Sequence, residues 1–165
     1  MHRREMLFGG TALAALAAGS AWWQISKPTH AMATEGTFEI ELSDAEWKKR
    51  LTPAQFNILR QGGTERPFSS PLNDEHRAGT FSCAGCNLDL YSSETKFDSG
   101  TGWPSFYRPL PNAVQTSADN LLFLSRTEVH CRRCGGHLGH VFDDGPKPTG
   151  KRYCMDGLAM NFTPA

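Results

Sequence analysis

Two Cys-x-x-Cys pairs, Cys83/Cys86 and Cys131/Cys134, constrain this chain more than any other feature. Two residues between ligands let both sulfurs of a pair point at one ion, and two such pairs complete a tetrahedron of thiolates. Soft thiolates in a closed set select zinc or iron, and tetrahedral zinc is redox-silent. The stretch between the pairs is too long for a compact zinc ribbon, so the metal would tie together two distant hairpins. Four protein ligands leave no open position for water, which makes the expected Zn2+ structural, one per chain. Gly85 and Gly135-Gly136 lie where such turns need unusual backbone angles, and Asn87 also tolerates a left-handed conformation. Two disulfides, or a redox dithiol, are the rival readings of the same four residues.

The fifth cysteine, Cys154, stands alone in Lys151-Arg152-Tyr153-Cys154. In a strand, alternate residues share a face, so Arg152, Cys154 and Asp156 point one way and Tyr153 and Met155 the other. A cation two residues away favours the nucleophilic thiolate; a buried structural thiol is the bland alternative. Asp156-Gly157 reads as a two-residue hairpin turn, from which the carboxylate could still face a pocket. His137-Leu138-Gly139-His140 supplies two imidazoles, readable as helical metal ligands, surface residues or acid/base groups near neutral pH. Four thiolates already fill one metal site, which disfavours ligation. In Gly100-Thr101-Gly102-Trp103-Pro104-Ser105-Phe106, Trp103 on a Gly-rich loop can wall a pocket for a small apolar group or thioether. Phe106 is placed beside it as a substrate contact, with core packing as its alternative.

The 165 residues carry 17 Lys+Arg against 17 Asp+Glu. Zero formal charge gives no general attraction for nucleic acid or an anionic membrane. Residues 1–33 read as an export signal. Arg3-Arg4 precede Met6-Leu7, an Ala/Gly-rich segment runs from Phe8 to Trp23, and Lys27 precedes the small-x-small cleavage site Ala31-Met32-Ala33. Adjacent arginines before a weakly apolar segment look like a twin-arginine signal. The alternative is an uncleaved N-terminal anchor. Twin-arginine export carries folded proteins, so a metal could close over reduced thiols before they meet an oxidising compartment. After cleavage no stable membrane span is expected, and the location is the periplasm.

Residues 34–165 form the expected domain. Ser43-Asp44-Ala45-Glu46 is a capping box that starts a helix, with Trp47 and Leu51 on one face. Thr52-Pro53 starts a second helix running to about Arg60, stopped by Gly62-Gly63. The segment Thr64 to Gly79 reads as an ordered loop. Short strands follow at Thr80–Ser82, Asn87–Tyr91, Leu121–Ser125, Thr127–His130, Arg152–Met155 and Leu158–Phe162. Helices first and strands later predict a mainly β, α+β domain with antiparallel sheets.

Taken together, these residues resemble one family, the B-type methionine sulfoxide reductases. The matching stretches are Leu51-Thr52-Pro53, Gly63-Thr64-Glu65-Arg66-Pro67-Phe68, Thr95-Lys96-Phe97-Asp98-Ser99-Gly100 through Trp103-Pro104-Ser105-Phe106, Cys134-Gly135-Gly136-His137-Leu138-Gly139-His140-Val141-Phe142-Asp143-Asp144-Gly145-Pro146, and Arg152-Tyr153-Cys154. The resemblance implies two antiparallel sheets leaning together like a tent, a zinc site away from the active site, and reduction of the R epimer of methionine sulfoxide. It also implies Cys154 as nucleophile, Trp103 holding the substrate methyl group, and His137, His140 and Arg152 on the polar side. The thiolate would attack the sulfoxide sulfur while His140, the first choice, protonates the departing oxygen. Methionine leaves and Cys154 becomes a sulfenic acid.

The chain departs from that family twice. Asp156 stands where relatives usually have Asn, and Gly157 where they have Ser. An ionised carboxylate near Cys154 opposes the thiolate, so Asp156 pairs with Arg152, or stays protonated and donates, or merely closes the turn; the pairing is preferred. Thr101 stands where many relatives carry a resolving cysteine. With four sulfurs on zinc, an external thiol must reduce Cys154, and an exported enzyme needs a thioredoxin-like periplasmic donor. The expected substrate is methionine-R-sulfoxide in oxidised proteins, with the free amino acid as a further substrate, and the expected state is a monomer. Two other classes compete: a zinc-stabilised, non-catalytic binding module with an inert Cys154, and a thiol–disulfide oxidoreductase using a Cys-x-x-Cys pair.

Overall fold

The computed structural model describes residues 38–119 and 125–165. The export signal of residues 1–33 lies outside them, as does most of the strand expected at Leu121–Ser125; Ser125 itself is not in a strand. Helix α1 (Asp44–Arg50) starts at the expected capping box: Ser43 Oγ accepts from the Glu46 amide, and Glu46 Oε2 accepts from the Ser43 amide at 2.9 Å. Helix α2 (Pro53–Gln61) repeats the device with Thr52 and Gln55 and ends at left-handed Gly62. Each cap satisfies orphan amides of a first turn and stabilises a helix by about 1 kcal/mol. The helices bury Trp47, Phe56, Ile58 and Leu59, and the residue that ends α1, Leu51, is buried with them.

The rest is strand and turn. A three-stranded antiparallel sheet has the order β2-β1-β9, from β1 (Gly79–Cys83), β2 (Asp89–Ser92) and β9 (Met160–Pro164). A six-stranded antiparallel sheet has the order β3-β4-β8-β7-β6-β5. Its members are β3 (Lys96–Phe97), β4 (Ser105–Phe106), β5 (Val114–Asp119), β6 (Arg126–Cys131), β7 (His137–Phe142) and β8 (Arg152–Met155). The two sheets share a core. Tyr91 of β2 stacks on Phe106 of β4 with ring centroids 4.3 Å apart, and Phe81 of β1 meets Phe106 edge-on at 5.0 Å. Burying each ring contributes roughly 1.5–3 kcal/mol, and each ring pair adds about 0.5–1.5.

The structure decides three readings. The segment His137–His140 lies in strand β7, paired with β6 and β8, which removes helical metal ligands from the three readings of its histidines. Asp156-Gly157 closes no hairpin: β8 and β9 belong to different sheets, and a 3-10 turn at Gly157–Ala159 carries the chain between them. Gly157 is needed there for closeness, since a Cβ would lie 1.9 Å from Ser70 Oγ. Phe106 is fully buried in the aromatic core and packs the two sheets together, which favours its core reading over its placement as a substrate contact. Within the expected loop Thr64–Gly79, Pro71–Asp74 form a 3-10 turn capped by Ser70.

Candidate active site and metal centre

The two Cys-x-x-Cys turns are near copies of each other. Cys83 accepts from the Asn87 amide and donates to the Leu88 carbonyl, both at 2.8 Å. Cys131 accepts from the Gly135 amide and donates to the Gly136 carbonyl, both at 2.9 Å. Asn87 (φ 57°) and Gly135 (φ 66°) occupy the same left-handed position, whereas Gly85, expected to need such angles, does not. Cys83 closes β1 and Cys131 closes β6, so the turns bring one end of each sheet together.

Cys83 Sγ lies 3.7 Å from Cys134 Sγ, Cys86 Sγ lies 3.5 Å from Cys131 Sγ, and all four sulfurs fall within 4.8 Å of one another. A tetrahedron with metal–sulfur bonds of about 2.3 Å has sulfur–sulfur edges of about 3.8 Å. The four thiols therefore fit one metal ion and could hold it. Without a cation they cannot all ionise: contact with Cys131, Cys134 and Cys86, then burial, drives the Cys83 thiol far up.

Cys154 sits in a different setting. Strand register places Ser105 opposite Cys154, Cys154 opposite His140, His140 opposite Glu128, and Glu128 opposite Ser117. Directly opposed residues share a face of the sheet, with Cβ atoms about 4.5–5.5 Å apart. One row across five strands thus carries a thiol, an imidazole, a carboxylate and two hydroxyls. The next row on that face holds Asp119, Arg126, Phe142 and Arg152. A register irregularity at Val129/His130 and the φ of 142° at Gly139 let His137 turn to the same cavity as His140. A side chain at Gly139 would put its Cβ 2.2 Å from the Cys154 carbonyl.

The cavity has a volume of about 240 Å³. Cys154, His137, His140, Asp156 and Arg126 supply its polar wall, Trp103 and Phe142 its aromatic one, and Gly62–Thr64 its rim. His137 Nδ1 is 2.8 Å from Glu128 Oε1, and Ser117 Oγ donates to the other Glu128 oxygen at 2.7 Å. Burial works to raise the Glu128 carboxyl, but those two hydrogen bonds outweigh it and hold Glu128 below the usual range. His140 Nε2 is 2.9 Å from Asp119 Oδ2, which also accepts from Arg126. Burial lowers the His140 pKa against the pull of Asp119. Trp103 Nε1 donates to the Glu65 carbonyl at 3.2 Å, which fixes the indole.

Burial pushes the Cys154 thiol up; the Thr101 hydroxyl and the Arg152 cation pull it down, and Asp156 pushes it up again. Thr101 Oγ1 lies 3.8 Å from Cys154 Sγ and is 2.8 Å from Ser99 Oγ, which in turn is 2.8 Å from Ser105 Oγ. Three hydroxyls thus back the sulfur.

Asp156 does not pair with Arg152. Arg152 forms a two-bond pair with Asp144, at 2.9 Å each, and lies over the Phe142 ring. The Asp156 carboxylate instead accepts from Thr64 Oγ1 (2.7 Å) and the Glu65 amide (2.9 Å), and its other oxygen lies 3.9 Å from His137 Nε2. Arg152 is drawn outward because Asp144 offers it a bidentate partner, while Asp156 is captured by the Gly63–Phe68 segment. Burial raises the Asp156 pKa despite those bonds. Glu65 completes the lock: its carboxylate accepts from the Gly157 and Leu158 amides at 2.6 and 3.0 Å.

Of the residues the sequence places at one pocket, Cys154, His137, His140, Asp156 and Trp103 line the cavity, whereas Arg152 does not and pairs with Asp144. Sequence reasoning missed Arg126, Glu128, Asp119, Thr64 and Glu65. The alternation Arg126-Thr127-Glu128 before a metal turn was the available signal for two of them.

Among the described residues, nine antiparallel strands, four thiols placed to hold a metal ion and one separate thiol facing two imidazoles define a β protein with a single-cysteine site. Comparison with known proteins makes the class specific. The SelR domain matches residues 51–164. A peptide methionine sulfoxide reductase MsrB from Leifsonia xyli is 52% identical over 134 residues, 80% of this chain and 96% of that protein. One of the same name from Methanosarcina barkeri is 55% identical over 124 residues, 74% of this chain and 87% of that protein. The chloroplastic peptide methionine sulfoxide reductase B1 of Arabidopsis thaliana is 50% identical over 135 residues, 81% of this chain and 67% of that protein. The chain belongs to the SelR family, with the MsrB proteins as its relatives.

Proposed function

We propose that this protein reduces the R epimer of methionine sulfoxide, in oxidised proteins and as the free amino acid. The observation that carries the reading is the cross-strand row in which Cys154 lies between Ser105 and His140 at the floor of a cavity walled by Trp103. The indole takes the S-methyl group, and the polar wall takes the oxygen; exchanging the two substituents at sulfur would set oxygen against the ring, which sorts the epimers.

The Cys154 thiolate attacks the sulfoxide sulfur while His140, directly across the strand pair, passes a proton to the oxygen. Two electrons leave Cys154, methionine is released, and the oxygen stays on Cys154 as a sulfenic acid. His137, held by Glu128, and Asp156 orient the polar end of the substrate. Thr101, Ser99 and Ser105 offer hydrogen bonds to the thiolate. Thr101 brings no second sulfur, so an external thiol attacks the sulfenic acid, releasing water and leaving a mixed disulfide that a second thiol resolves. Zn2+, bound by Cys83, Cys86, Cys131 and Cys134, would brace the two sheets and take no part in the reaction. The signal-like residues 1–33 support twin-arginine export to the periplasm, where a thioredoxin-like donor would serve a monomeric enzyme repairing oxidised proteins.

The test supplies each epimer separately to the wild type and to Cys154→Ser, with a small dithiol as reductant. Turnover of the R form alone, abolished in the variant, is the expected result. Equal turnover by Cys154→Ser would overturn the reading.

A further inference from the structure

We propose that Phe68 is a docking platform for the residue next to the methionine sulfoxide in a polypeptide, so that the protein favours oxidised methionines with apolar neighbours. The proposal rests on the reading of the Cys154 cavity as a methionine sulfoxide site. Among the described residues only two large apolar side chains are exposed, and Phe68 is the more open at 73%. It also holds an unfavourable backbone. Arg66-Pro67-Phe68-Ser69 is a turn closed from the Ser69 amide to the Arg66 carbonyl, with Pro second and a left-handed residue third, φ 61°. That third position suits Gly or Asn; a bulky residue there is disfavoured. The turn therefore carries a ring in water and a strained backbone at one residue, a pairing that packing of the fold does not require.

The ring's position is fixed relative to the cavity. The Phe68 amide donates to the Gly102 carbonyl at 2.7 Å, and the Trp103 indole donates to the Glu65 carbonyl at 3.2 Å. These two bonds stitch residues 65–68 to residues 102–103. Gly102 has φ 91°, and a Cβ there would stand 2.8 Å from Phe68 Cδ2, so the ring lies against the residue that precedes the pocket tryptophan. Phe68 thus sits against the neighbour of the pocket tryptophan, outside the cavity that Trp103 walls. A cavity of about 240 Å³ takes a single side chain of methionine size and leaves the substrate main chain at its mouth. Neighbouring residues follow at about 3.3–3.6 Å per residue, and an apolar one can cover the exposed ring.

The experiment uses the mature metal-loaded protein and blocked tripeptides with methionine-R-sulfoxide in the centre, flanked by leucine or by serine. Blocked single-residue methionine-R-sulfoxide serves as the reference substrate. The wild type is expected to favour the leucine peptide over the serine peptide by about three- to tenfold in kcat/KM, the range an aromatic contact supplies, and the preference is expected in KM. Phe68→Ala and Phe68→Gly are expected to abolish that ratio, and Phe68→Trp to keep it. Gly suits the left-handed position, so Phe68→Gly should melt no lower than the wild type, which separates lost docking from lost fold. A ratio unchanged in Phe68→Gly, or no preference in the wild type, overturns the proposal while turnover of the blocked single residue upholds the functional reading. A wild type inactive on all three substrates overturns both.

Discussion

Cysteine has two opposite settings in this molecule. At the sheet ends, four sulfurs crowd within 4.8 Å of one another, each held by a turn whose backbone bonds are the same in both copies. In the cavity, one sulfur has no other sulfur beside it; its company is a threonine hydroxyl, an arginine and two histidines. Three of the four are buried and Cys86 is half-buried, and none lines the Cys154 cavity. The fifth is partly open and electrostatically balanced, pushed up by burial and Asp156, pulled down by Thr101 and Arg152. Reactivity therefore follows from the neighbours of the thiol, not from its residue type.

The largest expected break in that comparison is Cys154→Ser, which should cost a thousandfold or more in turnover, on the order seen for lost nucleophiles, with an unchanged melting curve. Cys131→Ser should do the reverse in kind: it opens the metal centre where β1 and β6 meet, and calorimetry should show the cooperative melting transition lost or moved far down, because binding of a structural metal is folding free energy. His140→Ala should lower kcat by roughly a hundredfold, the scale of a lost general acid, with little change in KM.

Asp156→Asn tests the balance on Cys154 more finely. Burial, with Asp156 adding to it, raises the thiol pKa, so the thiolate, and with it kcat/KM, appears only as pH rises. Removing the charge should move this acid limb to lower pH, leaving turnover equal or higher; a collapse of turnover would show that Asp156 acts as a proton donor. Thr101→Cys should change the product more than the rate. With Oγ1 3.8 Å from Sγ, a cysteine there should capture the sulfenic acid, and mass spectrometry after one turnover should find an internal disulfide absent from the wild type.

What the sequence made legible follows the range of the interactions involved. The capping boxes at Ser43 and Thr52, the stop at Gly62 and the two metal turns are local, and their residues state them directly. Strand β8 was legible because Arg152–Met155 alternates cleanly. By contrast β5 and β7 carry mixed polar residues whose pattern makes sense only beside β6, and β3 and β4 are two residues long. The failed readings share one cause: a tertiary partner won. Arg152 was expected on Asp156 four residues away but found the better-shaped partner in Asp144; Asp156 was claimed by Thr64 and Glu65 across the fold. Phe106 carried two readings, and its packing on Tyr91 and Phe81 selects the core one. The motif Gly63–Phe68 was recognisable as a match, but its work of anchoring Trp103, Asp156 and the turn at Gly157 depends on contacts more than thirty residues distant in sequence, such as that from Glu65 to Trp103.

The division between one reacting thiol and four structural ones is tested most directly by a single turnover. The metal-loaded protein receives one equivalent of methionine-R-sulfoxide without reductant, and intact-mass and peptide mass spectrometry then locate the oxidation while released metal is assayed. The account predicts one equivalent of methionine, one added oxygen on Cys154, and a metal centre that keeps its ion. Oxidation or a disulfide among Cys83, Cys86, Cys131 and Cys134, with metal released in step with methionine, would contradict it.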